Sequence, residues 1–120
     1  RHERQTILPT EAVVTRLRVS GDGRYLAAAL LNGSVCVWDR HRGDARQQMH
    51  RSSQPLYALD WRPGTSELAI GHDSTLEYWD IPEGRLVRQL AIPASPVVLA
   101  HDLHGTRVAV AGRQRTLVSM

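Results

Sequence analysis

The dipeptide Trp38-Asp39 returns as Trp79-Asp80, 41 residues later. Each copy closes the same string of apolar and turn segments. The first copy reads VTRLRVSGDGRYLAAALLNGSVCVWD from Val14 to Asp39, and the second reads LYALDWRPGTSELAIGHDSTLEYWD from Leu56 to Asp80. Leu17 falls on Leu59, Val19 on Trp61, Leu26 on Leu68 and Trp38 on Trp79, with one residue deleted in the turn before the last strand. A third copy sets Leu99, Val108 and Leu117 on Leu17, Leu26 and Val35, with Met120 in the tryptophan position. A repeat of this period builds one small sheet per copy, and the sheets stack.

Within each copy the apolar runs are short and separated by Gly, Pro, Asp and Ser, which suits strands rather than helices. Gly21-Asp22-Gly23, Asn32-Gly33, Arg42-Gly43-Asp44, Pro63-Gly64 and Pro82-Glu83-Gly84 provide turn chemistry. Antiparallel meanders follow, and the expected fold class is all-β. Leu26 to Leu30 and Val108 to Ala111 are apolar at consecutive positions, as in a strand covered on both faces. The small residues Ala27, Ala28, Ala29, Gly71, Ala109 and Ala111 suit crowding between sheets, whereas Ala45 to Met49 and Leu86 to Leu90 mix in Arg and Gln like outer, half-exposed strands.

The GDG-type turn, the NGS-type turn and the terminal Trp-Asp together resemble the WD-repeat β-propeller family. The resemblance implies blades of four antiparallel strands, with Trp38, Asp39, Trp79 and Asp80 as structural residues. It also implies a buried network of His, a turn Asp, a Ser or Thr and the Trp, for which His50, Asp73 and Trp79 match the positions. In the first repeat Ala and Leu stand where the Ser and Asp would sit, so packing is expected to matter more than that network.

Strand counting gives an outer strand of a preceding blade at 1–9 (Gln5 to Leu8), a first blade at 10–52, a second at 53–93 and an incomplete third at 94–120. That is about three blades' worth of propeller, permuted by one strand. Propellers close with about 4 to 8 blades. The expected partners are therefore the remaining blades of the same propeller, other protein subunits, or a second copy of the chain completing a six-bladed ring.

With 42% hydrophobic and 22% charged residues and no apolar run long enough to span a bilayer, the chain reads as a globular piece with no membrane partner. The single thiol, Cys36, sits between two valines in a strand and is read as buried and inert, in a cytoplasmic or nuclear setting. All 15 basic residues are Arg, and the formal charge is +3. No long basic run is interleaved with aromatics, so a nucleic-acid partner is not expected. A nucleic-acid or phosphate-binding face using Arg51, Arg113 and Arg115 stands as the rival reading.

Turns on a rigid scaffold carry recognition. The candidate binding face gathers Asn32, Arg51, His72, Arg113, Gln114 and Arg115, whose turns the repeat places at one end of the blades. Arg18 and Asp60 share a repeat position on neighbouring innermost strands and are expected to approach each other. Other motifs read as structural. Arg42-Gly43-Asp44 fills the turn slot that Glu83-Gly84 fills in the next repeat. His104-Gly105 replaces Asp22-Gly23, and His101 replaces Val19, so His101, Asp102 and His104 are not read as a metal site. An Arg three residues after the tryptophan marks family members that bind a ubiquitin-ligase adaptor; here His41 and Pro82 take that position, which disfavours that partner. No nucleophile elbow or phosphate-binding loop occurs. The reading is a non-enzymatic protein-interaction scaffold with no cofactor.

Overall fold

Alternating turn residues and five- to six-residue apolar runs produce strands β1 (Val14–Val19), β2 (Tyr25–Leu30), β3 (Ser34–Asp39) and β4 (Ala45–His50). They form one antiparallel sheet in sequence order. The pattern repeats in β5 (Ala58–Trp61), β6 (Glu67–His72), β7 (Thr75–Asp80) and β8 (Arg85–Ala91). A third sheet holds β9 (Val98–His101), β10 (Val108–Ala111) and β11 (Thr116–Ser119). The computed structural model describes residues 10–43, 45–50, 52–92, 96, 98–112 and 116–119. Among them no helix is long and apolar enough to cross a membrane.

Register follows the repeat. Leu17, Leu59 and Leu99 face Ala28, Ile70 and Val110 across the first ladder of each sheet. The β1–β2 turn is tied by Asp22, whose Oδ1 accepts from Arg24 N (3.0 Å) and from the Ser20 hydroxyl (2.7 Å). Asp102 does the same work in the third sheet, accepting from Thr106 N at 2.9 Å and Arg107 N at 3.2 Å. Such carboxylate-to-backbone bonds make the turn before the chain has packed. Each Trp-Asp aspartate ends its strand likewise: Asp39 caps a short 3-10 turn over Arg40–Arg42 by accepting from His41 N, and Asp80 accepts from Glu83 N at 3.0 Å.

The consecutive apolar residues of β2 are explained by burial on both faces. Ala27 and Ala29 join Tyr25, Val35, Val37, Leu56, Leu59, Trp61, Leu68, Ile70 and Ile81 in the core between the first and second sheets. Ala28 faces the other way with Leu30, Cys36 and Trp38. A second core holds Ala58, Ala69, Leu76, Tyr78 and Ile92 against Leu99, Val108 and Val110. Burial of each large side chain here contributes about 1.5–3 kcal/mol, so the sheets are held to one another mainly by stacking. Small residues set the spacing: a Cβ on Gly71 would lie 2.7 Å from Pro96 Cγ and 2.9 Å from Ala58 Cβ. Cys36 is buried, and burial pushes its thiol pKa up.

Candidate protein-interaction surface and the junctions that support it

Strands β1, β5 and β9 are neighbours along the stack. Polar bonds there fix how one sheet meets the next. The Trp61 indole N–H donates to the Arg18 carbonyl at 3.1 Å. One repeat later, Asp60 Oδ2 accepts from the His101 backbone N–H and from His101 Nδ1, both at 3.0 Å, and His101 Nε2 lies 2.9 Å from the Tyr78 hydroxyl. A carboxylate only accepts, so Nδ1 carries a proton; in the neutral ring Nε2 then accepts from Tyr78. The His101 side chain is 1% exposed, and the Tyr78 ring meets it edge-on.

This arrangement overturns the expected approach of Arg18 to Asp60. Arg18 Nη1 turns back to the Leu17 carbonyl at 2.9 Å, and the Asp60 carboxylate is taken up by His101. The physical reason is a one-residue offset. Position Arg18 meets Trp61, and position Asp60 meets His101, so equivalent residues do not face each other across a junction. His101 thus has a structural role, while Asp102 turns to its own loop.

We expect His101→Ala to cost about 2–4 kcal/mol, because it strands a buried phenol and removes a charge-assisted bond. Tyr78→Phe should cost about 1 kcal/mol. Urea denaturation measures both, and equal losses would argue against His101 as the bridging group.

The end of the stack predicted to recognise partners is closely tied. Ser52 N–H donates to the Gly33 carbonyl at 3.1 Å, and Leu56 N–H to the Leu30 carbonyl at 3.2 Å. The Ser52 hydroxyl reaches Asp73 at 3.5 Å in the next sheet. Asn32 spends its Oδ1 on Ser34 N–H at 3.0 Å and so closes its own turn. His72 lies 3.3 Å from Asp73 through Nδ1 and 3.0 Å from Glu77 through Nε2. Asn32 and His72 are therefore engaged in local structure. Arg51, Arg113, Gln114 and Arg115 lie outside the described residues, as does the His50 side chain. Asp73 bonds to Ser52 and His72, while Trp79 Nε1 donates to Glu77 at 2.7 Å.

Glu77, 6% exposed, is the acid that sequence reasoning missed. Its place between Leu76 and Tyr78 in a buried strand is the only hint the sequence offers.

Three stacked antiparallel sheets, with their first strands side by side, define a segment of β-propeller about three blades long. Residues 3–39 match the family model described as WD domain, G-beta repeat. The chain thus has the fold of a WD-repeat β-propeller segment, and its first repeat matches that family's model.

Among curated relatives it is 30% identical over 118 residues to the U3 snoRNP-associated protein-like EMB2271 of Arabidopsis thaliana, covering 98% of this chain and 23% of that one. It is 28% identical over 86 residues to eukaryotic translation initiation factor 3 subunit I of Neurospora crassa, covering 71% and 25%. The chain thus spans about a quarter of the length of these relatives. A chain in the crystal structure of the mitotic checkpoint complex shares its fold with a TM-score of 0.79 at 20% identity, over 92% of this chain and 36% of that one.

Proposed function

We propose that these blades act as a rigid, non-catalytic docking module for other protein subunits of a larger assembly. The observation that carries this reading is an uncovered apolar strand face. Leu59 and Trp61 are 1% and 5% exposed under the neighbouring blade, whereas their counterparts Leu17 and Val19 are 51% and 57% exposed. A face patterned for burial calls for a protein surface against it. That surface belongs to further blades, to a second copy closing a six-bladed ring, or to another subunit. The relatives support the wider reading by their names, one a subunit of a translation initiation factor and one associated with a small nucleolar ribonucleoprotein. A cytoplasmic or nuclear location goes with it.

The test is to purify the protein at native abundance and measure the mass of its assembly by light scattering, with the subunits quantified by mass spectrometry. Fixed stoichiometry with other chains or with a second copy is expected. A monomer without stoichiometric partners would overturn the proposal.

A further inference from the structure

The two junctions between blades carry lateral grooves that differ in how their arginines are paired. The groove between the first and second blades is lined by Arg24, Asp39, Arg42, Arg46 and Gln47, among others. Each of its arginines lies beside a carboxylate of the chain itself. Arg24 binds Asp39 through two nitrogens at 3.1 and 3.0 Å, Arg42 lies 3.9 Å from the same carboxylate, and Arg46 pairs with Glu11. The Arg24 bonds hold the Asp39 carboxyl below the usual carboxylate range.

The groove between the second and third blades encloses about 380 Å³ and is lined by Arg62, Tyr78, Arg88, Leu90, Gly105, Thr106, Arg107 and Val108. Arg62 is occupied, with Glu67 at 3.4 Å and the Gly105 carbonyl at 3.2 Å. Arg88 lies over the Tyr78 ring, 4.8 Å from its centre, and among the described residues no carboxylate pairs with it or with Arg107. Both are exposed. From 93 to 120 the sequence holds one acidic residue, Asp102, whose two oxygens are taken by Thr106 and by Arg107 N–H. The groove therefore concentrates positive charge that no carboxylate among the described residues answers.

We infer that this groove takes an acidic, extended segment of a partner protein, with glutamate or aspartate side chains on Arg88 and Arg107 and an apolar residue between them. The inference rests on the docking reading and names the partner chemistry for one surface of that module. Planar guanidiniums suit bidentate carboxylate binding. Leu90 and Val108 supply the apolar floor, and β8 runs alongside as the exposed edge strand of its sheet, open to an extended chain. A nucleic acid fits less well, because the one aromatic ring in the groove, Tyr78, is buried and presents no face for a base to stack on.

The test is fluorescence anisotropy with the purified protein and a fluorescein-labelled peptide of alternating glutamate and leucine, set beside a single-stranded oligothymidylate of the same length. The peptide is expected to bind with an affinity that falls as salt rises. Arg88→Gln and Arg107→Gln should each weaken it roughly tenfold or more. Arg42→Gln, an equal charge change in the groove whose arginines are paired, should leave it unchanged. The substitution at 88 mirrors Gln47, which occupies the equivalent register position opposite Val37, so folding is expected to survive.

Absence of peptide binding, equal effects of all three substitutions, or preference for the oligothymidylate would each overturn the inference. If the assembly mass persists while the peptide fails to bind, the groove proposal alone falls. Loss of the assembly itself removes the docking reading.

Discussion

Gly33→Ala is expected to destabilise the protein by more than about 4 kcal/mol, in the range reserved for changes with an identifiable structural conflict. Gly33 has φ +86°, a region where a Cβ costs about 1–2 kcal/mol. The larger part comes from crowding. A Cβ there would run into the Ser52 carbonyl oxygen, and it would lie 2.7 Å from the Ser52 carbonyl carbon and 2.9 Å from the Gln54 carbonyl oxygen. These neighbours are backbone, and Ser52 N–H is itself bonded to the Gly33 carbonyl, so the chain there has little room to retreat. The blade connection and the turn are packed main chain to main chain, and only glycine allows it. Gly23→Ala is the control. Gly23 has φ +76° but meets nothing within 4 Å of an added Cβ, so the backbone term alone, about 1–2 kcal/mol, is expected. Urea unfolding of the pair separates strain from collision. Similar losses for the two would sink the close-packing argument.

Trp61→Ala should cost about 3–5 kcal/mol, as for other large aromatic side chains removed from a core. Its ring stacks on Tyr25 with centres 5.7 Å apart and 23° between planes, so it joins two blades as well as filling space. Its indole N–H holds the Arg18 carbonyl. Trp61→Phe keeps much of the apolar area and gives up that bond, and a loss nearer 1–2 kcal/mol is expected. Thermal denaturation followed by circular dichroism would measure both. If the alanine variant melted within a degree or two of the native protein, the junction would have to be held mainly elsewhere.

Strand placement was legible because the repeat states it more than once. Leu17, Leu59 and Leu99 align in sequence, and the same residues align across the ladders of three sheets. The turns were legible because Asp22, Asp80 and Asp102 bond to backbone a few residues away, an interaction that needs no tertiary context. Position along a repeat does not say what faces it in the next one. Arg18 and Asp60 are equivalent, yet the one-residue offset hands Asp60 to His101 and leaves Arg18 supplying only its carbonyl. Nor did spacing identify His72 as the partner of Glu77, since His50 had the family's expected place.

The sequence by itself determined the class of fold and the number of strands per sheet. Short apolar runs and turn residues act locally, and the repeat multiplies them. Only the tertiary structure decided which polar groups meet at the junctions, which of the two grooves keeps uncompensated arginines and where glycine is obligatory. Those outcomes depend on distances between residues that are tens of positions apart in the chain, set by how closely the sheets stack and by their offset.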